Sequence, residues 1–296
     1  MVLLSGLAYS AVSAQPAVQG VDSADQLQEV VVTSEKVKED VRKVPAGISV
    51  VSAADIAELH MLDIADLTRA VPNLSFSTQG GPGNQNIELR GISSTAGSST
   101  VSVYLDDVPM TVRNLDTEGQ AEPGFFDVQR VEVLRGPQGT LYGASSEGGT
   151  IRYISNPVNL DTYSGSIYSD VSGTKHGGTN YTGRAIVNIP LIDGELGLRA
   201  GVVSTKSSGY VDHYNPDNLG QLVSRGVNGI ETTTARVAME WRPAAGLIIK
   251  PSVFFQYAKS DDLDVLDLGS ADLLSQHKRV AEPGKDTLIV PSVNIS

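Results

Sequence analysis

The chain changes its hydrophobic rhythm once, near Pro157. Before it, short apolar runs mix with two segments of helical spacing. After it, apolar and polar residues alternate, which is the period of a half-buried strand. "GISVVS", residues 47–52, reads as a strand. Ser52, with Asp55 three positions on, reads as an acidic capping box for a helix reaching about His60. Asp63 is a second capping residue, ahead of "IADLTRAV", where Ile64, Leu67 and Val71 share a face and Pro72 ends the helix. "NLSF", "IELRGI", "VSVYLDDVPM" and "VQRVEVLRG" follow as short strands, with Asp106-Asp107 in a tight turn. The small, polar "STQGGPGNQN" and "SSTAGSST" between them are exposed loops. Residues 37–157 thus predict one small α+β domain.

Beyond Pro157 the strands lengthen. "GSIYSDV" sets Ile167, Ser169 and Val171 against Ser166, Tyr168 and Asp170. "YTGRAIVNI" sets Tyr181, Ala185, Val187 and Ile189 against Thr182, Arg184 and Asn188. "ELGLRAGVV" sets Leu196, Leu198, Ala200 and Val202 against Arg199. "TARVAMEWR" sets Ala235, Val237, Met239 and Trp241 against Arg236, Glu240 and Arg242. "LIIKPSVFFQYA" sets Leu247, Ile249, Val253, Phe255 and Tyr257 against Lys250, Ser252 and Gln256. A medium loop (172–180), a tight turn at Asp193-Gly194, a long loop (204–232) and a tight turn at "PAAG" connect them. Long loops at one end and short turns at the other is the pattern of a transmembrane β-barrel, with Trp241 as a girdle aromatic. A soluble sandwich also alternates, and periodicity alone leaves both open. About five such strands are legible, and "LIVPSVNIS" reads as part of a long external loop.

Composition narrows the function. Acidic residues number 34 against 22 basic ones, a net charge of -12. That balance does not suit nucleic acid, which needs a basic face. Without cysteine there are no disulfides, thiolate metal sites or cysteine nucleophiles. His60, His176, His213 and His277 are too far apart for a short metal-ligand motif. No GxSxG or HExxH occurs, so no catalytic residue, no metal site and no enzyme is predicted.

Met1 to Val12 is apolar, and Val12-Ser13-Ala14 places small residues where a signal peptidase cuts. Residues 1–14 therefore read as a signal peptide lacking its basic front, or else as a short buried segment. Residues 15–36 read as a flexible leader carrying "EVVVTSEK", an extended segment of high β propensity. It is either a strand awaiting a partner's sheet edge or an edge strand of the next domain. No apolar run is long enough for a transmembrane helix.

The sharpest local motif is "VEVLRGPQGTLYGASSEGGTIRYIS", from Val131 to Ser155. A phosphate loop needs a lysine beside its glycines and a helix after them. This stretch has no lysine and leads to a strand. Gly136, Gly139 and Gly143 instead allow turns with φ > 0, and Pro137 stiffens the first. Gly148 and Gly149 open the next strand, where a side chain would clash with an enclosing wall.

In this order, "LQEVVVTSEK", "VPAGISVVSAADI", "LTRAVPNLSF", "IELRGI", "VYLDDVPM" and "FFDVQRVEVLRGPQGTLYGASSEGGTIRYIS" resemble the N-terminal part of TonB-dependent outer-membrane receptors, over roughly residues 27–257. The resemblance implies an α+β plug domain followed by antiparallel strands of a twenty-two-stranded transmembrane β-barrel. Residues 158–296 would hold only the first strands, an incomplete barrel, so the chain reads as a piece of a longer receptor that does not transport alone. It implies energised uptake of a scarce ligand, ferric siderophore foremost, with carbohydrate, cobalamin and haem as other classes, or a ligand-sensing signalling receptor. A signalling receptor needs a folded unit before Glu29, for which the leader is short, and a passive porin would lack the plug. The implied partners are TonB with its inner-membrane energising complex and outer-membrane lipid, with no nucleic acid. The protein would be a monomer in the outer membrane of a Gram-negative bacterium. No resident cofactor is implied, since an iron–siderophore complex would be cargo.

Residue by residue, the resemblance gives the TonB contact to Glu29, Val30, Val31, Val32 and Thr33. Plug loops place ligand contacts at Gln79, Gln85, Asn86 and Arg113, which read equally well as solvated loop residues. Arg90, Glu132, Arg135 and Arg152 put charge inside the plug. Inward-facing Arg184, Arg199, Arg236, Glu240 and Arg242 are candidates to meet it, as buried charges need partners. Solvation in a wet lumen is the alternative, and sequence assigns no pairs.

Overall fold

The computed structural model describes residues 31–32, 39–40, 47–61, 64–78, 85–93, 98–110, 123–267 and 274–296. Strands β1 (Val31–Val32) and β2 (Glu39–Asp40) pair antiparallel with each other. An α+β body follows. It contains β3 (Gly47–Ser52), α1 (Ala53–Glu58), α2 (Ile64–Ala70), β4 (Leu74–Thr78), β5 (Gln85–Leu89), β6 (Val101–Leu105), β7 (Val108–Pro109), β8 (Val128–Arg135), the single turn α3 (Gly139–Tyr142) and β9 (Gly149–Ser155). Its main sheet has the order β3-β8-β9-β6-β7, with β6 parallel to β9, and β4-β5 form a separate hairpin.

Local chemistry explains these elements. The Ser52 hydroxyl accepts the Asp55 amide at 3.2 Å, and the Asp55 carboxylate accepts the Ser52 amide at 2.8 Å, so α1 starts on a complete capping box. Ile64, Leu67 and Val71 are almost fully buried and join Val51, Val103, Val131, Val133 and Ile151 in one core. β6 is buried along its whole length, as expected of a strand covered on both faces.

The second body is a wall of long antiparallel strands: β10 (Ser164–Gly173), β11 (Thr179–Ile192), β12 (Leu196–Ser207), β15 (Ile230–Ala244), β16 (Leu247–Ser260) and β18 (Gly284–Ile295). Between them, β13 (Asp212–Asn215), β14 (Asn218–Ser224) and β17 (Ser275–Gln276) make a small sheet at the loop end. The wall is open at β10 and β18. Its exposed face carries Ile167, Val187, Val202, Val237, Trp241, Val253 and Ile289. Its other face turns Phe254, Leu288 and Val290 onto the core of the α+β body.

Several sequence expectations change. The wall has a sixth strand, because "LIVPSVNIS" continues β18 and is not loop. Pro291 disguised it, yet it keeps its place opposite Val253 in the ladder with β16 without a register shift. The 204–232 segment is shorter as a loop, since β12 runs to Ser207 and β13-β14 form a hairpin inside it. Gly136 and Gly143 have φ of 105° and 69°, while Gly139 has no left-handed φ and simply begins α3. At Gly148 and Gly149 the crowding comes from within the α+β body and not from the wall. A Cβ on Gly148 would lie 3.2 Å from Val101 Cγ2, and one on Gly149 would overlap the Leu134 carbonyl and Leu89 Cδ2.

These two glycine environments predict opposite outcomes. Gly149→Ala combines a left-handed φ of 155° with overlap and should cost about 3 kcal/mol of unfolding free energy. Gly139→Ala sits in open space and should change stability by no more than ~1 kcal/mol, in the stabilising direction. Urea unfolding midpoints of the two variants check both.

Candidate functional site

The two bodies are joined by a seam, and each residue in it is placed by strand register. Asp127 precedes β8, is 6 % exposed and has φ 52°, a left-handed conformation that aspartate tolerates better than most residues. Its carboxylate accepts Arg199 Nε at 2.8 Å and Arg199 Nη2 at 2.5 Å, a bidentate fork. It also accepts Asn156 Nδ2 at 3.0 Å and lies 3.5 Å from Arg236 Nη1. Asp106, in the β6-β7 turn with φ 54°, accepts the Ser155 amide and approaches Arg236 Nη2 at 3.8 Å. Arg199 and Arg236 come from β12 and β15, so two wall cations converge on two acids of the α+β body.

The connecting segment is stitched down beside this cluster. Asn188, 1 % exposed on β11, donates to the carbonyls of Asn159 and Thr162 and accepts the Asn159 amide at 2.9 Å. Arg236 Nη1 donates to the Asn156 carbonyl. Glycines on the inward face of β12 admit the contact. A Cβ on Gly197 would come within 2.8 Å of Val158 Cγ1, and one on Gly201 within 2.8 Å of Phe126 Cζ. Gly197, Arg199 and Gly201 lie on one face by the period of a strand.

The other charges named from sequence find different places. Glu132 is fully buried inside the α+β body, where Arg152 Nη1 (2.7 Å) and Arg130 Nε (2.8 Å) donate to it. Arg152 also stacks over the Tyr142 ring at 5.7 Å, and Tyr104 donates to the Tyr142 carbonyl. Burial pushes the Tyr142 phenol up to about 12, so it stays neutral. Thus "GTLYG" works as a one-turn pedestal for Tyr142. Arg90 and Arg135 meet at the edge of β3: Arg135 Nε donates to the Gly47 carbonyl, and a Cβ on Gly47 or Gly136 would lie 3.1 or 3.2 Å from the Arg90 guanidinium. In the wall, Arg184 stacks over Tyr168 and Arg242 pairs with Glu240, so neither joins the Asp127 cluster.

Of the proposed TonB segment, Val31 and Val32 form β1; Glu29, Val30 and Thr33 lie outside the described residues. The strand expected to lack a partner pairs with Glu39–Asp40 in the same chain. Of the proposed ligand residues, Gln79 and Arg113 lie outside the described residues, while Gln85 and Asn86 begin β5 opposite Thr78 and Ser77. At the loop end, β13 runs parallel to β17, and Lys278 Nζ donates to Asp262 at 2.7 Å. Burial alone would raise the Asp262 carboxyl, but hydrogen bonds from Lys278, Glu282 and Leu263 hold it below the usual carboxylate range.

Asp127 is the functional residue that sequence reading missed. Its signal was an acid between "FF" and a strand, beside a turn acid already noted at Asp106.

Residues 40–150 match the TonB-dependent Receptor Plug Domain. Residues 40–150 are thus a plug domain of the kind found in TonB-dependent outer-membrane receptors. The vitamin B12 transporter BtuB of Vibrio vulnificus is 34 % identical over 137 residues, covering 45 % of this chain and 21 % of that protein. The iron-regulated outer membrane virulence protein of Vibrio cholerae is 28 % identical over 215 residues, covering 69 % and 32 %. The ferric yersiniabactin uptake receptor FyuA of Yersinia pestis superimposes with a TM-score of 0.60 at 25 % identity, covering 77 % of this chain and 36 % of that one. The chain therefore spans about a fifth to a third of the length of the curated relatives it matches. These relatives are receptors and transporters, not enzymes. The α+β body is the plug and the wall is part of an unclosed barrel.

The seam predicts that its glycines cannot be filled. Gly201→Val should force Phe126 out of register and detach the plug from the wall, at a cost of about 1–3 kcal/mol. Limited proteolysis should then cleave 156–163 in the variant and spare it in the parent protein.

Proposed function

We propose that the receptor carrying this sequence imports a scarce ligand across the outer membrane, energised by TonB, and that a ferric siderophore is the cargo. The observation that carries this reading is a plug fastened inside a wall whose outer face is apolar. Such a plug blocks the lumen at rest, so passage requires it to be displaced by force from outside the barrel. A leader strand ahead of the plug supplies the handle. Glu29 to Thr33 is the segment we assign to TonB, pairing by strand addition, in which backbone hydrogen bonds carry much of the affinity. β1 is held within the chain by only the two-residue β2, so TonB needs to displace little to take its place.

The siderophore reading draws support from relatives described as an iron-regulated outer membrane protein and a ferric yersiniabactin uptake receptor. Cobalamin is the second reading, favoured by the 34 % identical vitamin B12 transporter. Gln79, Gln85, Asn86 and Arg113 remain our candidates for ligand contact at the plug loops. We also assign the protein to a monomer surrounded by outer-membrane lipid.

Val31→Pro tests the mechanism, since proline removes one backbone donor from the strand. Uptake of radiolabelled ferric siderophores should fall to the level of a strain lacking TonB, with the plug folded and ligand binding unchanged. Normal uptake by Val31→Pro would refute the TonB assignment. Equilibrium binding of ferric siderophores against cyanocobalamin separates the two cargo readings.

A further inference from the structure

Three connections make up the loop end of the wall. The first joins β10 to β11 and is described over residues 174–178. The second, residues 208–229, joins β12 to β15 and carries β13 and β14. The third joins β16 to β18, is described over 261–267 and 274–283, and carries β17. Surface connections ordinarily open one by one, because each buries little and leaves its backbone to water. Here they are tied to one another by buried polar groups.

Asp264, from the third connection, reaches into the second. Its carboxylate accepts the Tyr210 hydroxyl at 3.0 Å and Asn228 Nδ2 at 3.0 Å. Asn228 is 7 % exposed, and its Oδ1 accepts the amides of Tyr210 at 2.7 Å and Val211 at 2.9 Å. Burial and the neighbouring Asp264 charge raise the Tyr210 phenol, which keeps it a donor. Val211 is fully buried; its carbonyl accepts the Val227 amide, and the next amide, Asp212, donates to the Leu274 carbonyl. β13 and β17 thus pair in parallel across two connections, and His213 Nε2 lies 2.6 Å from the Lys278 carbonyl, 65 residues away. Buried Asp262 closes the third connection on itself, accepting Gln276 Nε2 at 2.9 Å and Lys278 Nζ at 2.7 Å. Ser208 ties on the first connection: its hydroxyl accepts the Gly178 amide at 3.0 Å, and its own amide donates to Asn180 Oδ1 at 2.8 Å. Beside it Gly209 crosses Gly226, backbone on backbone. A Cβ on Gly209 would overlap the Gly226 carbonyl, and one on Gly226 would lie 2.7 Å from the Gly209 carbonyl oxygen.

We propose that the three connections form one cooperative body that opens in a single step, with Asp264 and Asn228 as its keystone. A buried polar group is costly to leave unpaired. Freeing the second or the third connection strands Asn228 and Asp264, and the first rests on Ser208 and Gly209 of the second. Opening one connection therefore costs nearly as much as opening all three. The body frames a cleft of ≈ 1010 Å³ whose lining comes from every connection: Gly177 and Gly178 from the first, Tyr210 and Asp212 from the second, Asp261 and Leu274 from the third. The cleft stands pre-formed, so a molecule entering it does not first have to order these loops. This holds whichever cargo the receptor carries.

The test is amide hydrogen exchange at single-residue resolution, on the receptor carrying this sequence in detergent micelles. Gly178, Asp212, Val227 and Asp267 report on the body, since their amides donate within or between the three connections. Val237, inside β15, is the reference for the wall. In Asp264→Ala all four amides should exchange faster by one common factor of at least about tenfold, the scale for losing hydrogen bonds to a charged group. Val237 should keep its parent rate. Gly178 decides the matter, because it bonds to Ser208 and lies in a different connection from Asp264. Faster exchange at Asp212 and Val227 with Gly178 at its parent rate overturns the proposal. Should Val237 accelerate as well, because the variant fails to fold, the parent protein alone decides. Under rising, sub-denaturing urea its four amides should share a single urea dependence. Separate dependences for the three connections overturn the proposal.

Discussion

The Asp127 carboxylate, gripped by Arg199 and approached by Arg236, is the interaction on which the arrangement of the two bodies depends. Buried charge is costly unless it is paired and hydrogen-bonded. Here the acid comes from the plug and the bases from the wall, so these charges are paired only when the two bodies meet. Asn188 extends the same logic to neutral groups by bracketing the connecting backbone at Asn159 and Thr162. The result is directional: it fixes where the plug sits along β11, β12 and β15. By contrast, Phe254, Leu288 and Val290 meet the plug core through apolar contact, which has no preferred register.

The wall solves a different constraint on each face. Outward, it must present apolar side chains to hydrocarbon, and its strands alternate to do so. Inward, it carries Asn188, Arg199, Arg236 and two glycines at the places where the plug comes closest. A strand of period two lets one sequence serve both demands at once.

Much of this architecture was legible in the residues. The capping box of Ser52 and Asp55, the buried face of Ile64, Leu67 and Val71, and the alternation of the wall strands are all local patterns. β18 was not legible, because Pro291 interrupts a run that only tertiary pairing with β16 makes a strand. The seam was half legible. Arg199 and Arg236 stood out as charges on otherwise small or apolar strands, but their partner is set by a left-handed Asp127 distant in sequence. Glu132 and Arg152 were read as plug charges that wall residues could meet, and they pair with each other across adjacent strands instead. Gly148 and Gly149 were read as relief from the wall, whereas the close neighbours are Leu89, Val101 and Leu134 of the plug itself.

The most direct measurement of the central claim is a double-mutant cycle on the seam, using Asp127→Ala, Arg199→Ala and their combination, with unfolding free energies of the membrane-inserted protein. A buried, bidentate pair predicts that the two changes are strongly non-additive, with a coupling energy of about 2 kcal/mol or more. Additivity to within about 0.5 kcal/mol would show that Asp127 and Arg199 do not hold plug and wall together.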